Sequence, residues 1–184
     1  INQWIDGGAT LAESLSRIES LGIAASDCYD TSQSPIPICT CSDLQKIRDN
    51  ADASYRLNNY VDCSDAINWN GGRGFLPINS GPSLVLDGND YAITDLYINS
   101  FDPYNVGLFS ELSGEVRNLR LYDAIMIGSD KIGCIAGGNQ GTIINSYCHA
   151  TISKKTSGRG FDYGGLVGFN YEKAKENQKR STHV

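Results

Sequence analysis

The sequence predicts a mainly β chain: a short parallel β-helix, or β-solenoid, of roughly three to four coils with an N-terminal helical cap. Three observations carry this. First, the segments Ile93–Ile98, Val116–Leu121 and Ile143–Cys148 superpose residue on residue, spaced by 23 and 27 positions. Second, a further block repeats in the same phase: Val106–Phe109, Ile132–Ile135 and Gly164–Val167. Self-similarity at such spacings marks a stacked array. Third, 20 glycines and 10 tyrosines against one methionine favour a turn-rich β class over a helical bundle.

Taken in order, residues 9–22 read as a helix. Thr10 and Glu13 form a capping-box pair, Leu11, Leu15, Ile18 and Leu21 share one face, and Gly22 ends it. This helix would cap the open end of the repeats, or be the tail of a longer assembly helix. Residues 26–42 read as a linker, because Pro35 and Pro37 exclude helix and polar turn formers dominate. A second short helix is expected over 42–50, capped by Ser42, with Leu44 and Ile47 inward. Strands are expected at 55–57, 60–65, 75–78 and 83–86. The glycine-rich run 70–74 reads as a plain turn, and Asp87–Asp90 as a tight, hairpin-like one. The expected organisation is 1–42 helix and linker, 43–170 solenoid, and 171–184 a polar basic tail or cap.

From about residue 83 the repeats run, and each unit needs its neighbour to bury an apolar face. Asp95, Asn118 and Asn145 fall in one register and predict a hydrogen-bonded column at a corner. Tyr97, Arg120 and Tyr147 also share a register and predict an outward stack able to contact carbohydrate or protein, with Tyr91, Tyr104 and Tyr122 nearby. Cys134 replaces Leu108 and Cys148 replaces Leu121, so both point inward on one coil and predict a cross-link.

The even set Cys28, Cys39, Cys41, Cys63, Cys134 and Cys148 fits three disulfides and an oxidising compartment. The pairing of the first four stays open. Cys39-Thr40-Cys41 lacks the paired knuckles of a structural zinc site, so no metal is expected. Calcium held by the acidic turns is the remaining metal alternative.

The net charge of −6 is uneven. Residues 1–150 hold 8 basic and 18 acidic side chains, and residues 151–184 hold 7 basic and 3 acidic. An acidic body argues against nucleic acid and anionic membrane as partners. No apolar run approaches the ~18–20 residues of a membrane helix. The chain starts at Ile1 rather than Met, which predicts a processed or excised piece whose leader or anchor is out of view.

No catalytic constellation stands out, and no cofactor is expected. His149 and His183 do not form a pair, and neither a zinc-protease helix motif nor a nucleophile elbow nor a phosphate loop is present. Asp62 with Asp65, and Asp87 with Asp90, are the carboxylates that a glycan-cleaving β-helix would use. Their turn positions favour a structural role.

A resemblance runs through these same residues. Ser83–Ile98, Asn105–Phe109 and Gly164–Asn170 are similar to the repeat blocks of GLUG-motif proteins, and Asp43–Arg48 with Tyr60–Ser64 to their lead-in. The likeness covers roughly residues 38–170; Ser110 departs from the motif's glycine, and the pattern ends after Asn170. It implies a β-solenoid outside a bacterial cell, in an adhesin, a surface protein, or the non-catalytic region of an immunoglobulin-A-cleaving metallopeptidase. The expectation is therefore a non-enzymatic extracellular or cell-surface module, adhesin-like or structural. Its partners would be a host or matrix glycan or protein, or further copies in an appendage or filament. The alternatives are a carbohydrate-active β-helix enzyme and an accessory region of a secreted protease.

Overall fold

In a computed structural model, residues 28–100, 105–155 and 162–171 are described. The helix expected over 9–22, Tyr104, and the tail beyond Tyr171 lie outside these residues.

The described chain is a parallel β-solenoid of about four turns. It opens with β1 (Ile36–Ile38), helix α1 (Cys41–Lys46) and a 3-10 turn (Ile47–Asn50). The first full coil holds β2 (Ser54–Leu57), β3 (Val61–Asp62), a 3-10 segment (Ser64–Gly71) and β4 (Ile78–Asn79). The second holds β5 (Val85–Asp87), β6 (Ala92–Thr94), β7 (Tyr97–Asn99) and β8 (Phe109–Leu112). The third holds β9 (Glu115–Arg117), β10 (Arg120–Gly128), β11 (Ile132–Gly133) and β12 (Ala136–Asn139). The fourth holds β13 (Thr142–Ile144), β14 (Tyr147–Lys154), β15 (Tyr163–Gly164) and β16 (Val167–Asn170).

Corresponding strands stack into three walls, β1-β2-β5-β9-β13, β3-β6-β10-β14 with β7 also on β10, and β4-β8-β12-β16, plus the small β11-β15 pair. Every strand pair is parallel. Alternation along each strand then sends one residue per wall inward. One inward column is Ile36, Tyr55, Leu86, Val116, Ile143. A second is Val61, Ile93, Leu121, Cys148, and a third is Ile78, Phe109, Ala136, Val167. All but the last member of each column are buried. The last is only partly covered, because the fourth coil has no described coil above it.

Four expectations change here. The segment read as linker contributes β1, with Pro37 inside it. β1 is the outermost strand of its wall, and an edge strand tolerates a residue without an N–H. The second helix begins one residue earlier than expected, and its cap is Thr40 rather than Ser42. Thr40 Oγ1 accepts from the Asp43 N–H (3.1 Å), and Asp43 Oδ2 accepts from the Thr40 N–H (3.1 Å). Thr40→Ala is expected to cost about 1 kcal/mol in urea unfolding, the usual worth of such a cap. The strand expected over 60–65 is confined to Val61–Asp62, because Asp62 Oδ1 takes the Ser64 N–H (2.8 Å) and turns the chain into the 3-10 segment. Finally, Asp87–Asp90 is a solenoid corner and not a hairpin, since β5 and β6 belong to different walls.

The coil period is also longer than the first hexapeptide spacing. Val116 lies 30 residues after its partner Leu86 and 27 before its partner Ile143. The spacing of 27 is a true coil. The spacing of 23, from Ile93 to Val116, joins two different corners. Both corners put a residue in the left-handed region, Asp95 (φ 56°) and Asn118 (φ 51°), so they look alike locally.

The corner column is therefore Asp87–Asn118–Asn145, which corrects the expected Asp95–Asn118–Asn145. Asn118 Nδ2 donates to Asp87 Oδ1 (3.1 Å) and Asn145 Nδ2 to Asn118 Oδ1 (2.9 Å). Asp95 sits at the next corner, where its N–H donates to the Tyr122 carbonyl (3.0 Å).

Burial opposes ionisation of Asp87, but the Asn118 amide, the Asn89 N–H and Arg117 outweigh it and hold its carboxyl below the usual range. A depressed folded pKa stabilises the fold above the unfolded value of about 3.9 and ceases to do so as pH falls through the folded one. The stability gap between wild type and Asp87→Asn is thus expected to be constant from about pH 5 upward and to shrink below about pH 4. Urea midpoints across pH 2.5–7 (roughly the span of that titration) test it, and an equal gap at both ends would refute it.

Candidate functional site

The outward face of the β10–β14 wall differs from the stack the repeat suggested. Arg120 and Tyr147 are direct neighbours across β10 and β14. Tyr97, however, pairs with Ile125, and the other partner of Arg120 is Ala92. Tyr97 is out of that column for the same reason as Asp95: both rest on the 23-residue spacing between unlike corners. What remains is a set of cross-strand contacts. Tyr122 and Tyr147 lie tilted at 5.4 Å, Tyr60 meets Tyr91 edge-on at 5.4 Å, and Arg120 Nη2 reaches Asp90 Oδ1 (3.2 Å). These contacts suit an exposed, solvated sheet face.

The cysteines form three bonds: Cys28–Cys39, Cys41–Cys63 and Cys134–Cys148, with Cα separations of 6.0, 5.1 and 6.4 Å. The first two close the region around α1. The third ties the turn after β11 in the third coil to β14 in the fourth, so it links neighbouring coils where the repeat had suggested a bond on one coil. No cysteine is left free.

Three of the four carboxylates weighed for catalysis are engaged structurally. Asp62 binds the Ser64 N–H, Asp87 binds Asn89, Asn118 and Arg117, and Asp90 pairs with Arg120. Asp65 opens the 3-10 segment after β3. His149 Nδ1 lies 3.1 Å from Asp123 Oδ1, both side chains mostly exposed. Among the described residues, no group of three or more His, Cys, Asp or Glu side chains is placed to hold a metal. Nor is any helix there long and apolar enough to cross a membrane.

The concave, polar part of the surface is where the glycine run meets β7. Left-handed Gly71, Gly72 and Gly74 (φ 68°, 81° and 81°) let the chain double back after Trp69. Arg73–Phe75 then runs antiparallel to β7: the Phe75 N–H donates to the Tyr97 carbonyl and the Asn99 N–H to the Arg73 carbonyl, both 2.8 Å. A side chain at position 74 would strike the Tyr97 carbonyl, so glycine is required there. Gln45 of α1 clamps the next residue, donating to the Leu76 carbonyl (2.9 Å) and accepting its N–H (2.8 Å). The wall is thus fixed from both sides.

This wall encloses a hollow of about 420 Å³ holding Arg48, Arg73, Asn79, Asn99, Asn105 and Ser110. A second hollow of about 320 Å³, with Lys46, Asp49 and Trp69, shares Arg48 and Leu76 with it. No acidic side chain is among the described residues that line the larger one. The amide of Asn105 is oriented by donation to Glu111, which also accepts from the Tyr171 hydroxyl (3.1 Å). That leaves Asn105 Oδ1 buried with no partner, and Asn99 Oδ1 is in the same condition.

Sequence reasoning did not find this site. It took the glycine run as a plain turn and Ser110 as a mere departure from a motif. The available signal was Arg73 itself, a long cationic side chain in a tight turn that needs none. The other members come from four separate elements and the loop before β8, and only the coil stacking brings them together.

No protein-family profile matches the chain. It is 37% identical to halomucin of Haloquadratum walsbyi over 148 residues, covering 75% of this chain but spanning only 2% of the length of halomucin. Among solved structures, it is similar to a proposed immunoglobulin A1 protease from Bacteroides ovatus, at 15% identity and a TM-score of 0.49, over 79% of this chain and 64% of that one.

Proposed function

We propose that this chain is a non-enzymatic binding module of an extracellular surface protein, adhesin-like in the manner of the GLUG-motif proteins it resembles. The observation that carries the reading is the polar hollow walled by Arg48 and Arg73 on a rigid solenoid. A preformed concavity with a few convergent polar groups is the usual form of a ligand site. The three disulfides support an oxidising location, since such bonds persist outside the cytosol. The likeness to halomucin, by its name a mucin, supports the surface reading. The turn and ion-pair roles of Asp62, Asp87 and Asp90 favour binding over hydrolysis, which needs two carboxylates left free to face one another.

Glycan and matrix-protein arrays, read alongside light scattering for self-association, test the proposal. A specific ligand or concentration-dependent assembly is expected. Silence in all three assays would overturn it, and release of reducing ends from any bound glycan would replace it with an enzymatic reading.

A further inference from the structure

We propose that the open end of the solenoid, where the fourth coil stops, is the contact face of a two-fold dimer whose partner is a second copy of this chain. The inference goes beyond the binding-module reading and does not use its hollow.

The two ends of the stack differ. The inward columns begin with Ile36, Val61 and Ile78, and all three are buried. Leu44 of α1 and Ile47 of the following 3-10 turn join the same core, and two disulfides fasten that end. The columns finish with Ile143, Cys148 and Val167, which are only partly covered, as are Ala150, Ile152 and Leu166. β13, β14 and β16 are the terminal strands of the three walls, so one edge of each lacks a strand partner among the described residues. A partly apolar edge of this kind is a template for further pairing.

Three observations name the occupant. Residues 172–184 have Ala174 and Val184 as their only apolar side chains, too few to fill the three inward columns of a further coil. The first-coil end of another copy does not fit either. There the Ile38 carbonyl accepts from the Asn58 N–H (2.9 Å), so Ile38 turns its main-chain groups toward β2 and Pro37 turns its own to the open edge. Pro37 has no N–H to offer there, which blunts the edge. Finally, the described part of the fourth coil holds Lys154, Lys155 and Asp162 as its acidic and basic side chains, so little charge opposes contact between two such ends.

The register follows from β14. The N–H groups of Tyr147 and Lys155 donate to the third coil (2.8 and 2.6 Å), which by alternation leaves those of Cys148, Ala150 and Ile152 toward the open edge. The same three residues are the partly covered ones along the strand, while Tyr147, His149 and Thr151 are exposed. Antiparallel pairing about Ala150 sets Ala150 against its own copy and Cys148 against Ile152 of the other copy. Inward side chains then meet inward side chains, and the edge groups bond in pairs. A two-fold through this wall also brings β13 to β16 of the other copy. Such a contact closes on itself and builds no filament.

Sedimentation of the full chain from about 1 to 100 μM should show a monomer–dimer equilibrium that stops at two copies. All six native cysteines are bonded, so Ala150→Cys adds a single thiol. Antiparallel partners stand about 5.5 Å apart at Cα, within disulfide reach. On mild oxidation Ala150→Cys is expected to form a covalent dimer at least ~10-fold faster than Arg56→Cys, an exposed position on the first coil, because pairing raises the local thiol concentration. Ile152→Lys, with its fold checked by circular dichroism, is expected to weaken the dimer ~10-fold or more by placing a charge in the contact. A wild type that stays monomeric, species that keep growing with concentration, or cross-linking of Ala150→Cys no faster than that of Arg56→Cys would each overturn the inference. If the chain stays monomeric while arrays find a glycan or protein ligand, the binding-module reading stands and this inference falls.

Discussion

Replacing Cys41 and Cys63 together with alanine is expected to lower stability by about 2–5 kcal/mol, the usual loss for a native disulfide in a small extracellular domain. The bond spans 22 residues and joins the first turn of α1 to the residue after β3. Both cysteines are buried. The segment between them carries β2 and the 3-10 turn that holds Arg48, and the bond adds to the burial of Leu44 and the Gln45–Leu76 hydrogen bonds in holding α1. Without the bond, the unfolded chain regains the freedom of that loop. Urea unfolding of the double variant should show a lower midpoint, and the wild type in reductant should move toward it. Loss of the Gln45–Leu76 clamp should accompany this. An unchanged midpoint would mean that α1 is held by packing alone.

Phe109→Ala is the second change with a large expected effect, about 3–5 kcal/mol. Phe109 is fully buried on β8, between Ile78 of the coil below and Ala136 of the coil above. Truncating so large a buried side chain beside the small Ala136 is expected to open a cavity between two coils that the stacked backbones cannot close. A parallel stack moves only as whole coils, and its strand spacing is set by hydrogen bonds. The control is Tyr122→Ala on the outer face, where the ring is 39% exposed and the expected change is within about 0.5 kcal/mol. Chemical denaturation of both variants checks the contrast. Similar losses would show that outer-face aromatic contacts count as much as the core.

These two positions also show how far local pattern carries. The inward place of Leu121 and Cys148 is legible from the 27-residue spacing, and the structure pairs them directly. The same comparison misplaced Tyr97 and Asp95, because the repeat detects a local conformation. A strand, a left-handed Asp or Asn, and a second strand recur at every corner of this kind. Two unlike corners of neighbouring coils look as similar as two stacked ones. Position 110 illustrates the converse: its serine is visible in the sequence as a break in a motif, but its place beside Asn79 and Asn105 is not.

By itself the sequence determined the class of fold: stacked parallel coils with apolar residues inward, turns built on glycine, Asp and Asn, and an even set of cysteines. Periodicity encodes these because each depends on residues close in the chain. Only the tertiary structure decided the coil length, the Asp87–Asn118–Asn145 column, the cysteine pairing near α1 and the Arg48–Arg73 hollow. The column and the hollow join groups about one coil or more apart, or on different walls. Which groups meet is then set by how many residues each corner takes up, and a hexapeptide does not record that number.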